Sequence, residues 1–286
     1  MSRQDILKRK ENIYYKKLYE YSQYLDVVRD RGYKVVYIAL KGSQNYNLDR
    51  EDSDYDAVAV VYPTLEVLID CGPKFSYTYV LRDGSRIVVK DVSSFLHDIT
   101  KGFVGELELL TTPFALGDKD FFSLLDRHAK IIFETNVRSF QKNLKNMVGK
   151  INLFLKTPGK EYIEEVATYG YRRKNLLTLK RLLILYKNYL SNVPFYDMYI
   201  CTDEERKELL DYYYNPIPED EALREATKVT EELVDLIDKT RVDYKKGEEK
   251  INYSIRKIFN KYVSDQITKD ILYDNTKDNE ESKEEL

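Results

Sequence analysis

Lys41 to Val61 reads KGSQNYNLDREDSDYDAVAVV. Just ahead of it, Lys34–Leu40 (KVVYIAL) is β-branched and largely apolar, the composition of a buried strand. Gly42-Ser43 therefore follows a strand directly. Glycine lets backbone come close to a ligand, and the serine adds a hydroxyl, so such a turn can cradle phosphate oxygens. Tyr55–Tyr62 (YDAVAVVY) predicts a second strand, and Asp54 and Asp56 open it two residues apart. Positions i and i+2 of a strand share a face. Two carboxylates held side by side repel unless a cation lies between them, and oxygen ligands at that spacing suit Mg²⁺ or Mn²⁺. Gly-Ser and D-x-D each also occur as plain turn features. It is their order along one strand–loop–strand unit that points to a site.

Working outward, Phe75–Leu81 and Ser85–Asp91 flank Asp83-Gly84, a two-residue hairpin signal. Asp91 ends the apolar run IVVKD and is read as a third acid beside the first two; a cap for the following helix is the alternative. Ser93 is read as the N-cap of that helix, which runs to about Lys101 and stops at Gly102. Before the first strand, Ile6, Ile13, Leu18, Tyr21, Leu25 and Val28 fall at helical spacing and predict one helix to about Arg29. After Pro113 strands give way to helices, expected over Lys119–Lys130, Val137–Leu155, Tyr162–Tyr189, Asp203–Tyr213, Glu219–Val242 and Ile251–Ile267. Gly170 is a candidate break in the third of these. The fold class expected is α+β: an N-terminal mixed sheet with helices (1–115), an all-helical half (116–270), and a disordered acidic tail (271–286).

Composition narrows the chemistry. The chain has 286 residues, a net charge of -3 and 43% hydrophobic residues, enough apolar material for a core. Two cysteines and two histidines argue against a disulfide framework or a thiolate- or imidazole-rich metal centre. His97 and His128 lie in apolar helical patterns and read as core or surface residues. No apolar run approaches the ~20 residues of a membrane helix, and the charged N-terminus has no apolar signal core. The expectation is a cytoplasmic protein without a membrane partner. Arg138–Leu190 carries 12 Lys/Arg against 3 Asp/Glu, whereas Asp203 to the end carries 15 against 24. The first stretch could face a nucleotide or an RNA backbone, or be an ordinary solvated helical surface.

The motif order resembles that of nucleotidyltransferases of the DNA polymerase β superfamily: Gly-Ser, a D-x-D pair, then a third Asp on a later strand. More closely it is similar to the nucleotidyltransferases predicted in bacteria and phages, some of them associated with RNA ligases, whose motif runs Gly-Ser-x-x-x-Gly-Leu and then Ser-Asp-x-Asp. Here the residues are Gly42-Ser43-Gln44-Asn45-Tyr46-Asn47-Leu48 and Ser53-Asp54-Tyr55-Asp56. Phe95–Leu110 and Tyr169–Leu183 (YGYRRKNLLTLKRLL) resemble later segments of that family, and so do the acidic helices over Glu204–Leu233. Three positions depart from it: Gln44 stands where arginine is frequent, Asn47 replaces the second glycine while still tolerating a left-handed backbone, and Thr178 replaces a histidine.

The resemblance implies an N-terminal nucleotidyltransferase-type sheet. It implies that Gly42 and Ser43 hold the β- and γ-phosphates of an NTP, that Asp54 and Asp56 bind two divalent ions, Mg²⁺ or Mn²⁺, and that Asp91 shares the catalytic one. An acceptor hydroxyl would attack the α-phosphorus and release pyrophosphate. Lys174 and Arg181, seven apart on one helix, are expected at the triphosphate or an RNA backbone, and Tyr171 stacked on a base; the alternative is an amphipathic helix burying Leu176, Leu179 and Leu183. Glu108 is expected to brace this basic helix. RNA, such as a tRNA end, is the favoured acceptor. A protein or small-molecule acceptor and a binding protein without turnover are the other readings. The sequence does not give the oligomeric state.

Overall fold

The computed structural model describes residues 3–71, 76–157, 159–243 and 247–284. Phe75, at the start of the expected third strand, and residues 285–286 of the expected tail lie outside them. In chain order the elements are α1 (Arg3–Lys8), α2 (Glu11–Gln23), α3 (Asp26–Arg29), β1 (Tyr33–Lys41), β2 (Asp56–Pro63), α4 (Leu65–Cys71), β3 (Ser76–Val80), β4 (Arg86–Asp91), α5 (Val92–Thr100), α6 (Val104–Leu107) and β5 (Ala115–Gly117). The helices α7 (Lys119–Thr135), α8 (Val137–Lys156), α9 (Ile163–Tyr169), α10 (Arg173–Leu190), α11 (Asp203–Tyr214), α12 (Glu219–Lys239) and α13 (Glu248–Glu284) complete the chain. The class is α+β, with a sheet first and helices after it.

The sheet has five strands in the order β3-β4-β2-β1-β5. It is mixed: β2 and β4 run parallel, and the other pairs are antiparallel. The central strand β2 is apolar on both faces because both are covered. Ala57, Ala59 and Val61 pack with Ile38, Leu40, Ile87 and Val89 under Tyr14, Leu18 and Tyr21 of α2. Val58, Val60 and Tyr62 face the other way, into a cluster that continues through Phe95, Phe121, Phe140, Leu179 and Phe259. That second cluster joins the sheet to the helical half across position 115.

Local signals explain several element ends. Asp118 caps α7 by accepting from the Phe121 amide at 2.8 Å, and Thr202 with Glu205 forms a capping box on α11. Gly170 separates α9 from α10 at φ 77; a Cβ there would collide with the Glu219 side chain at 2.4 Å. The expected single N-terminal helix is three, with turns near Arg9 and Tyr24, and Ile13 of its apolar series is 59% exposed. The strand β5 and the helix α4 were not expected. The three-residue strand is held in place by β1 rather than by its own composition. Backbone at 271–284, expected as a disordered tail, continues α13; after Gly247 the sequence holds no glycine or proline to stop a helix. No described helix is long and apolar enough to cross a membrane.

Candidate functional site

The Gly-Ser loop begins where β1 ends. Gly42 sits at φ 99, ψ -142, a backbone state costly for any residue with a side chain. A Cβ would meet nothing closer than Gln44 Oε1 at 3.9 Å, so the backbone angle rather than crowding calls for glycine. Ser43–Tyr46 form one 3₁₀ turn, and Asn47 closes it in the left-handed state at φ 61. Gln44, where the resembled family has arginine, is fully buried and donates to the Asp54 carbonyl at 2.6 Å. It ties the loop to the acid-bearing segment instead of reaching outward.

Register puts the two motifs together. Lys41 pairs with Asp56, so Gly42 and the D-x-D segment meet at one end of the β1–β2 pair. Asp54 is exposed and Asp56 half-buried. One Asp56 oxygen accepts from the Arg86 amide at 3.1 Å. Burial pushes the Asp56 carboxyl above its usual range and the charge of Asp54 adds to this, while Arg86 and Lys174 pull it back. Lys174, exposed in the first turn of α10, thus lies within electrostatic reach of Asp56. The structure gathers Gly42, Ser43, Asp54, Asp56 and Lys174.

Asp91 is not among them. The parallel register sets Ala57 opposite Ile87 and Val61 opposite Asp91. Asp91 is therefore five residues further along the sheet than Asp56, about 16 Å at a strand's rise. It also has the parity of Ile87 and Val89, the opposite face from Asp56, which has the parity of Val58 and Val60. Its side chain caps α5, accepting from the Ser94 amide at 2.8 Å and the Ser94 hydroxyl at 2.9 Å, and the residue is 2% exposed. The cap of α5 is thus Asp91, not Ser93. A shared metal with Asp54 and Asp56 is geometrically out of reach.

Two further expected contacts turn inward. Tyr171 is fully buried, its hydroxyl 3.4 Å from the Ile217 carbonyl, and cannot stack on a base. Arg181 is buried because α10 is flanked by α8, α11 and α12. Its guanidinium lies 4.0 Å over the Tyr46 ring, supporting the Gly-Ser loop from below. Thr178 donates to the Lys174 carbonyl within its own helix.

Glu108 lies within electrostatic reach of Arg181. It is completely buried and accepts from the Gly42 amide at 2.8 Å. Burial pushes its carboxyl up to about 7, against the pull of Lys41, Arg181 and the Gly42 amide. Glu106 was missed by sequence reading: its carboxylate takes Lys41 at 2.6 Å and Lys90 at 3.1 Å. An acid within the apolar run FVGELELL was the available signal, since a buried carboxylate requires partners.

The charge asymmetry of the chain is largely internal. Lys156, Lys180 and Lys187 of the basic stretch pair with Glu219, Glu225 and Glu232 of α12, each at 2.6 Å, and Lys145 pairs with Asp238 at 2.7 Å. For metal, two carboxylates suit one Mg²⁺ or Mn²⁺ that brings its remaining ligands as phosphate and water oxygens. They do not form a three-acid centre: among the described residues no group of three or more His, Cys, Asp or Glu could hold a metal ion. No protein-family model matches the chain, and it matches no curated protein.

Proposed function

We propose that the chain is a nucleotidyltransferase of the DNA polymerase β type, holding an NTP with one divalent ion at Gly42, Ser43, Asp54 and Asp56. The observation that carries this reading is the Lys41–Asp56 pairing, which sets the Gly42-Ser43 turn against two adjacent carboxylates. The turn would take the triphosphate, and Lys174 would add charge from α10. Mg²⁺ or Mn²⁺ at the acids would offset the charge of the triphosphate and of the leaving pyrophosphate. An acceptor hydroxyl would attack the α-phosphorus: the new O–P bond forms, the bond to the α,β-bridging oxygen breaks with its electron pair going to the departing pyrophosphate, and the hydroxyl proton passes to solvent. Glu108, Arg181 and Gln44 hold the loop in shape and do not touch the nucleotide. RNA is the acceptor we favour, in the cytoplasm; a protein or small molecule is the alternative.

A second reading, nucleotide binding without turnover, draws support from the position of Asp91, which leaves the pair without a third acid. Label transfer from each α-³²P-NTP with Mg²⁺ or Mn²⁺, into total RNA and into whole lysate, separates the two. Label in RNA from wild type, lost by at least a hundredfold in Asp54→Ala/Asp56→Ala, is the expected result. Label in polypeptide would move the acceptor to protein. Metal-dependent NTP binding with no label in any acceptor would establish the second reading.

A further inference from the structure

A cleft of about 920 Å³ opens between the end of α5, the first half of α8, the end of α12 and the start of α13. It lies apart from Asp54 and Asp56. Six cations line it, Lys101, Arg138, Lys142, Lys145, Arg241 and Arg256, against three carboxylates, Asp238, Glu248 and Glu249. Lys145 is taken by Asp238. Lys101, Lys142 and Arg241 are exposed and, among the described residues, form no ion pair. Cations gathered in one concavity repel each other and so favour an anionic ligand.

The floor is built and rigid. Asn136 and Asn252 exchange amide hydrogen bonds at 3.0 and 2.9 Å. Gln141 is saturated by Tyr186, Thr240 and Val242. Arg256 donates to Thr100 at 3.0 Å, while its Nε is buried without a partner among the described residues. Tyr253 also lines the cleft and is 69% exposed, an open aromatic face beside the cations.

We infer that this cleft binds a single strand of nucleic acid, phosphates on the cations and a base on Tyr253. Lys142 and Lys145 lie with Arg138 on one face of α8 at i, i+4 and i+7. A four-residue step spans about 6 Å along a helix, close to the spacing of successive phosphates in a strand. An exposed ring among cations is the pattern of a stacking platform with an electrostatic groove. Lys101 precedes by five residues Glu106, which holds Lys41 beside Gly42, so the cleft and the nucleotide loop share a short connection. The strand's role as acceptor rests on the proposed transfer reaction; its binding does not.

Fluorescence anisotropy of a labelled RNA of about 12 nucleotides, titrated with the full chain across a salt series, tests this, with a DNA of the same sequence alongside. Wild type should bind at least one of the two, and more weakly as salt rises. Lys101→Ala/Lys142→Ala/Arg241→Ala should weaken binding at least tenfold and flatten the salt dependence by about two to three released ions. Tyr253→Ala should weaken it about fivefold or more with the salt slope unchanged. Asp56→Ala should bind as wild type does, so a failed transfer reaction would leave this result standing. Equal binding by wild type and the triple variant, with matching thermal melts, would overturn the inference. So would binding of free ATP in the cleft with no binding of either oligonucleotide.

Discussion

The parallel pair β2–β4 carries an aspartate at each end, and the two have different work. At the first end Asp56 is half-buried at the start of β2, beside Asp54, the Gly42 turn and Lys174. At the far end Asp91 is 2% exposed and holds the first turn of α5. Both follow or precede an apolar strand, and both read locally as site acids. What separates them is how fully the carboxylate is engaged: Ser94 occupies both oxygens of Asp91 inside the fold, whereas the Arg86 amide takes one oxygen of a half-buried Asp56. An N-cap aspartate stabilises a helix; two adjacent aspartates cost repulsion until a cation arrives.

Substitutions can break that comparison. The largest effect expected is on the proposed transfer activity. Asp56→Ala should remove it, by a hundredfold or more, with an unchanged melting temperature. Asp91→Ser should keep it, because serine caps a helix as well as aspartate but is a poor substitute for a metal-binding carboxylate. Asp91→Ala should instead lose about 1–2 kcal/mol of stability in denaturant unfolding. Loss of activity in a folded Asp91→Ser would return Asp91 to the site.

Glu108 sharpens the comparison, as a third carboxylate buried at the Asp56 end. Its folded value is raised to about 7 by burial, so the folded chain holds a proton there that the unfolded chain releases near pH 4.5. Stability should therefore fall as pH rises through that window and level off above about 7. The difference between wild type and Glu108→Gln, by urea unfolding from pH 4.5 to 8, should reach about 3 kcal/mol across it. A parallel pair of curves would mean that Glu108 is ionised throughout, held by Arg181 and Lys41.

The smallest effect expected is at Tyr171. Tyr171→Phe removes one long hydrogen bond and leaves the ring packed, so stability should change by less than about 1 kcal/mol and NTP affinity not at all. A tenfold loss of NTP affinity would place its hydroxyl in contact with the nucleotide.

Sequence by itself determined what depends on near neighbours. The apolar runs around Val36 and Val58 became β1 and β2, Asp83-Gly84 made the hairpin between β3 and β4, and Gly170 divided α9 from α10. Asn47 took the left-handed state that short polar side chains tolerate. Gly42, Ser43, Asp54 and Asp56 were legible as a group because one loop joins two paired strands. Tertiary structure alone decided the rest. Parallel register, set by a connection that contains α4 and β3, carried Asp91 to the far end of the sheet. Packing of α10 among three helices buried Arg181, although its seven-residue spacing from Lys174 matched an exposed face, and Tyr171 just ahead of α10 was buried as well. The basic stretch met its counter-charges on α12, some forty-five residues later, as in Lys180–Glu225 and Lys187–Glu232. Register, burial and ion pairing across such separations depend on which elements come to lie side by side, and local composition does not hold that information.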